Sequence, residues 1–85
     1  MKTRVLFVED WDENIHAVFP DLKNGKYLAS YTHIGQHSDC SQGWVERCSL
    51  AEDYKDLQDE LINRGYDLHV MNNDLETARS LGIKL

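Results

Sequence analysis

Residues 3–8, Thr-Arg-Val-Leu-Phe-Val, alternate as a strand does, yet neither side of the alternation is polar. Val5 and Phe7 fall on one face, Leu6 and Val8 on the other. Successive strand side chains point to opposite faces, so a segment apolar on both belongs in the interior of a sheet. The rest of the chain must therefore supply strands beside it.

Two further segments have the required period. After the acidic turn Glu9-Asp-Trp-Asp-Glu-Asn14, residues 14–19 set Ile15, Ala17 and Phe19 against His16 and Val18, and the two segments read as a hairpin. Pro20 has no N–H to donate and is expected to end the second strand. Asn24-Gly25 marks a turn. Residues 26–34 then form a third strand, with Tyr27, Ala29, Tyr31 and His33 opposite Leu28, Ser30, Thr32 and Ile34, ended by Gly35. Residues 36–48 hold no period and read as one long loop.

A helix follows. Ser49 and Glu52 have capping-box spacing, and Leu50, Tyr54, Leu57 and Leu61 recur every three or four residues as one apolar stripe. Gly65 is placed to end the helix in a left-handed conformation. Residues 66–71 read as a fourth strand, and Asn72-Asn-Asp74 is placed to cap a short helix over 75–81, ended by Gly82. The order β-β-β-α-β predicts an α+β two-layer sandwich: a mostly antiparallel four-stranded sheet, one main helix and a short C-terminal helix. The last strand should run parallel to the first and third; a right-handed crossover could set it beside the first, and the sequence leaves the strand order open. One helix covers one sheet face, so the other, carrying Tyr, His, Ser and Thr, is expected to be open for a partner or for a homodimer.

The 85 residues suit a single domain spanning 1–85, with its core over 3–71 and a tail over 72–85. Nine Lys and Arg against fifteen Asp and Glu leave a net charge of −6, which disfavours nucleic acid and suits basic partners. Acids interrupt the first apolar run after Val8, so neither a secretory leader nor a membrane anchor is expected, and a cytoplasmic location with reduced cysteines is.

The stretch Ser30-Tyr-Thr-His-Ile-Gly-Gln-His-Ser-Asp-Cys40 raises the question of chemistry. His33, His37, Cys40 and Cys48 are zinc-ligand types, but the spacing H-x3-H-x2-C-x7-C lacks the tight C-x2-C knuckle of structural zinc sites. Cys48, just before the expected helix start, is read as an inert thiol packed under the helix; the alternative is an activated thiolate beside a loop histidine. Glu9, Asp10, Asp12 and Glu13 lack the spacing and glycine of a calcium loop and read as a solvated turn. Trp11 and Trp44 either cover the edges of a small core or present binding anchors.

The chain resembles a group of small uncharacterised bacterial proteins from gut bacteria and mobile elements. The resemblance rests on Ala17-Val-Phe-Pro20, on Ser30-Tyr-Thr-His-Ile-Gly-Gln-His37, on the helix Asp53-Tyr-Lys-Asp-Leu-Gln-Asp-Glu-Leu61 and on Gly65-Tyr-Asp-Leu-His-Val70. It covers roughly residues 4–71, and SYxHxGQH is its specific part. It implies no activity. Its motif contains positions like His33, Gln36 and His37 but no cysteines matching Cys40 and Cys48, which favours a polar cluster at the strand end over a four-ligand metal site.

The leading expectation is thus a small cytosolic protein-binding module, an accessory or inhibitor protein of a mobile element, without catalysis or cofactor. Its expected contact residues are Tyr31, His33, Gln36, His37, Trp44 and Trp11. The alternative is a small metal-binding or Cys/His-dependent enzyme centred on the end of the third strand, with His33, His37, Cys40 and Cys48 as ligands.

Overall fold

The computed structural model describes residues 3–24, 27–32, 37–69, 73–83 and 85. The chain is a small α+β globule: a five-stranded antiparallel sheet with three short helices and a separate parallel pair of very short strands. The elements are β1 (Thr3–Arg4), β2 (Leu6–Glu9), β3 (Ile15–Asn24), β4 (Tyr27–Thr32), β5 (His37–Ser41), α1 (Gln42–Glu46), β6 (Ser49–Leu50), α2 (Lys55–Asn63), β7 (Leu68–His69) and α3 (Leu75–Ser80). The sheet order is β5-β4-β3-β2-β6.

The doubly apolar segment meets its expectation only in part: the single strand expected over 3–8 breaks at Val5, with Thr3–Arg4 outside the main sheet and Leu6–Glu9 inside it. β2 lies between β3 and β6, with Phe7 opposite Ala17 and Leu6 opposite Val18. Ala17 in turn faces Tyr31 on β4, so Phe7, Ala17 and Tyr31 form one row on one face. That face packs on α2 through Leu57 and Leu61, both fully buried. Truncating either leucine to alanine would cost about 2–5 kcal/mol. Aromatic rings close the flanks of this core: Tyr54 stacks on Phe7 at 4.6 Å between centroids, and Tyr66 stacks on Phe19 at 5.5 Å.

The opposite face is not open. Leu6, Val8, Val18 and Leu28 are covered by Val45 of α1, Cys48, Ala78 of α3 and Ile83, a second core on the other side of the sheet. The two-layer expectation therefore gives way to cover on both sides. The reason lies in residues 37–46, part of the expected loop, which form a strand and a helix. Residues 37–41 pair with β4 as the edge strand β5, and residues 42–46 form the helix α1. The Ser41 hydroxyl caps that helix by accepting the Trp44 N–H at 3.0 Å. An edge strand reading His-Ser-Asp-Cys-Ser sends Cys40 toward the core and shows no apolar alternation.

The capping box is likewise not formed. Ser49 and Leu50 pair with Glu9 and Val8 as β6, and Leu50 packs against the second core instead of joining the α2 stripe. The helix starts at Lys55 with Tyr54 at its N-cap and no side-chain cap. Pro20 does not end β3 either. Pairing with β4 shifts between Phe19 and Lys23, so Pro20 lies in the irregular stretch, where no ladder N–H is demanded of it. Arg4 and Asp21 form an ion pair beyond this break.

Later elements match more closely. Gly65 takes φ +97°, the left-handed turn that ends α2. Within the expected strand 66–71, Leu68–His69 pair in parallel with Thr3–Arg4, a neighbour that the crossover argument allowed, but outside the main sheet. α3 is capped by Asp74, whose carboxylate accepts the Thr77 N–H at 2.7 Å. Gly25 and Gly35, expected to turn the chain, lie outside the described residues.

Candidate functional site

The hairpin between β2 and β3 builds an arrangement that the sequence reading passed over. Asp10 opens the turn. Its Oδ1 accepts the backbone N–H groups of Asp12 and Asn14, each at 2.9 Å, and its Oδ2 lies 2.8 Å from Nε2 of His16. Burial raises the pKa of the Asp10 carboxyl, but the hydrogen bonds from His16 and from the Asn14 and Asp12 amides outweigh it and hold the group below its ordinary value. With Nε2 on the carboxylate, the neutral imidazole keeps its proton there and leaves Nδ1 as an acceptor.

His16 faces the second core, and its ring meets the Trp44 indole edge-on, 4.8 Å between centroids at 87°. Trp44 in turn meets Trp11 edge-on at 6.2 Å, and the Arg47 guanidinium lies over the Trp11 ring at 5.4 Å. The result is a continuous run: Arg47, Trp11, Trp44, His16, Asp10. Beside it opens a pocket of about 290 Å³ lined by His16, Trp44, Tyr27, Ser30, Cys40 and Asp39.

The expected contact residues scatter. Trp11 and Trp44 come together, but with different burial: Trp11 is 61% exposed, whereas Trp44 is part-buried against the second core. The two alternatives for the tryptophans thus divide between them. Tyr31 is fully buried under α2, with Arg64 over its ring, so it is a core residue and not part of an open face. His33 and Gln36 lie outside the described residues, and of His37 only the backbone, paired with Tyr31, is described.

The cysteines share the second core without being bonded to each other. The thiol of Cys40 donates to Leu28 O and that of Cys48 to Trp44 O, both at 3.5 Å. Cys48 precedes a strand, so it has no helix N-terminus to stabilise a thiolate. Burial, reinforced by the Asp10 charge, pushes its pKa up to about 11. Of the two readings of Cys48, the activated thiolate is left without an activating feature, and the thiol is buried before a strand rather than under a helix start. Among the described residues, no three His, Cys, Asp or Glu side chains gather as metal ligands.

No protein-family model matches the chain, and no curated protein or solved structure matches it either. The site is therefore read from its own chemistry. Among the described residues, no helix is long and apolar enough to cross a membrane.

His16, Tyr27 and Arg47 were not singled out by sequence, and Asp10 was read as part of a solvated turn, whereas its carboxylate is largely buried against His16. A signal for the Asp10–His16 pair does exist: an Asp opening a hairpin turn, with a His on the returning strand. Asp favours turn starts because its carboxylate bonds the backbone two residues on. What the sequence lacked was the short helix that brings Trp44 over His16.

Proposed function

We propose that the chain is a non-catalytic protein-binding module whose contact surface centres on Trp11, Arg47 and Trp44. The observation that carries this reading is Trp11, 61% exposed yet held between the edge of Trp44 and the guanidinium of Arg47. An exposed tryptophan fixed by its neighbours loses little freedom on binding, and Trp and Arg are the residue types that dominate interface energetics. Exposed Tyr27, across the adjacent pocket, extends the aromatic surface. The net charge of −6 supports a basic partner. A cytoplasmic accessory or inhibitor role in a mobile element belongs to the same proposal.

The test is affinity capture from the native host with the wild-type chain and with Trp11→Ala, whose exposed side chain can be removed without opening the core. A protein retained by the wild type and lost by the variant is the expected result. If every retained protein is kept equally by both, the Trp11 surface is not the contact site.

A further inference from the structure

We propose that the pocket between Trp44 and Tyr27 receives an arginine side chain of a peptide segment on the protein partner. This rests on the protein-binding reading and gives the partner its chemistry. Three aromatic residues, His16, Tyr27 and Trp44, line the pocket together with the exposed acidic residue Asp39. Aromatic residues beside an acidic one suit a planar cation, which gains from a ring quadrupole and from the charge together. A guanidinium fits this better than an ammonium because it is flat, weakly hydrated and able to stack while its N–H groups bond.

The chain itself pairs this cation with this kind of surface twice. Arg47 lies over Trp11 next door, and Arg64 lies over Tyr31 on the other side of the sheet. The pocket's volume of about 290 Å³ has room for a guanidinium head. Its surroundings are acidic as well: the neighbouring turn carries Asp10, Asp12 and Glu13 beside Trp11, and Arg47 is the cation that stands there against them. His16 does not swing in the pocket, because Asp10 and Trp44 hold its ring from two sides. The wall is thus built before the ligand arrives.

The experiment titrates the full chain with the peptide acetyl-Gly-Arg-Arg-Arg-Gly-amide, following tryptophan fluorescence and the NMR signals of the Trp44 indole and the Tyr27 amide. Saturable shifts at both residues are expected. The citrulline isostere, which keeps the shape and loses the charge, should bind at least five-fold more weakly. Asp39→Asn and Tyr27→Ala should each weaken the arginine peptide at least three-fold, with circular dichroism checking that both fold. Asp56→Asn makes the same charge change on α2, across the sheet, and should stay within a factor of two of the wild type. Equal losses for Asp39→Asn and Asp56→Asn would reduce the effect to general attraction of opposite charges and overturn the proposal. So would an unmoved Trp44 signal, or tetramethylammonium ions that bind as tightly as the peptide, which would assign the pocket to a small quaternary cation. A Trp11-dependent partner captured from the host by a chain that ignores the arginine peptide would sink this inference and leave the protein-binding reading intact. Peptide binding without any Trp11-dependent partner would do the reverse.

Discussion

The side-chain amide of Asn73 closes both hydrogen bonds of Phe7, a residue 66 positions earlier in the chain. The Phe7 N–H donates to Asn73 Oδ1 at 2.8 Å, and Asn73 Nδ2 donates back to Phe7 O at 2.9 Å. The same Nδ2 also donates to Ala51 O at 2.9 Å, and the Ala51 N–H donates to Phe7 O at 3.1 Å. One amide thus acts as a further strand where β2 ends its pairing with β6, and it ties the C-terminal segment to the sheet. Asn73→Leu would leave the part-buried Phe7 N–H without this acceptor and remove both donations. We expect a loss of about 2–3 kcal/mol in urea unfolding, the cost of unmet backbone polar groups. A variant as stable as the wild type would show that water replaces the amide.

Asp10 serves the turn and His16 at once. Asp10→Asn keeps the shape and removes the charge, and should cost about 1–3 kcal/mol at neutral pH, as lost charge-assisted hydrogen bonds do. The folded-state pKa of Asp10 lies below the ordinary 3.8. Its contribution is therefore complete above the unfolded value and is lost as the pH falls through the folded one. Unfolding curves of the two proteins, taken from pH 7 downward, should converge below about pH 3.8. A gap that stays constant into strong acid would contradict the charge-based account.

Cys48 should behave as an inert thiol. At pH 8 it should alkylate with iodoacetamide far more slowly in the native chain than in urea, because both burial and its pKa of about 11 withhold the thiolate. The linkage runs opposite to that of Asp10. With the folded pKa raised above the unfolded 9.0, the neutral thiol stabilises the fold below pH 9, and that contribution fades as the pH rises toward 11. Labelling of native Cys48 at the denatured rate would restore the case for a reactive cysteine.

Gly65 ends α2 at φ +97°, and no atom lies within 4 Å of where a Cβ would stand. The penalty of Gly65→Ala is then purely one of backbone conformation, about 1–2 kcal/mol. Thermal unfolding should shift down by several degrees without loss of the cooperative transition. An unchanged midpoint would mean that the turn relaxes to a negative φ.

Some of this molecule was determined by sequence alone. Alternation over residues 3–8 placed an interior strand, Tyr54, Leu57 and Leu61 marked one face of α2, and Asp74 and the two glycines at 65 and 82 set helix ends. These are local matters: side-chain period, a carboxylate three residues from an amide, a φ that only glycine takes without strain. The tertiary structure decided the rest. Ser49 and Glu52 carry the pattern of a helix cap, yet the unpaired edge of β2 recruits Ser49 and Leu50 as a strand, since ladder bonds and a part-buried Leu50 outweigh one capping box. The polar run 37–41 becomes a strand only because β4 offers it an edge. The apolar Leu6 and Val8 demanded cover, but nothing local said that α1 and the C-terminal segment would provide it. The site is the same kind of product. Asp10 and His16 could have been paired from the hairpin, whereas Trp44 reaches His16 and Trp11 only once the sheet has folded the short helix over its second face.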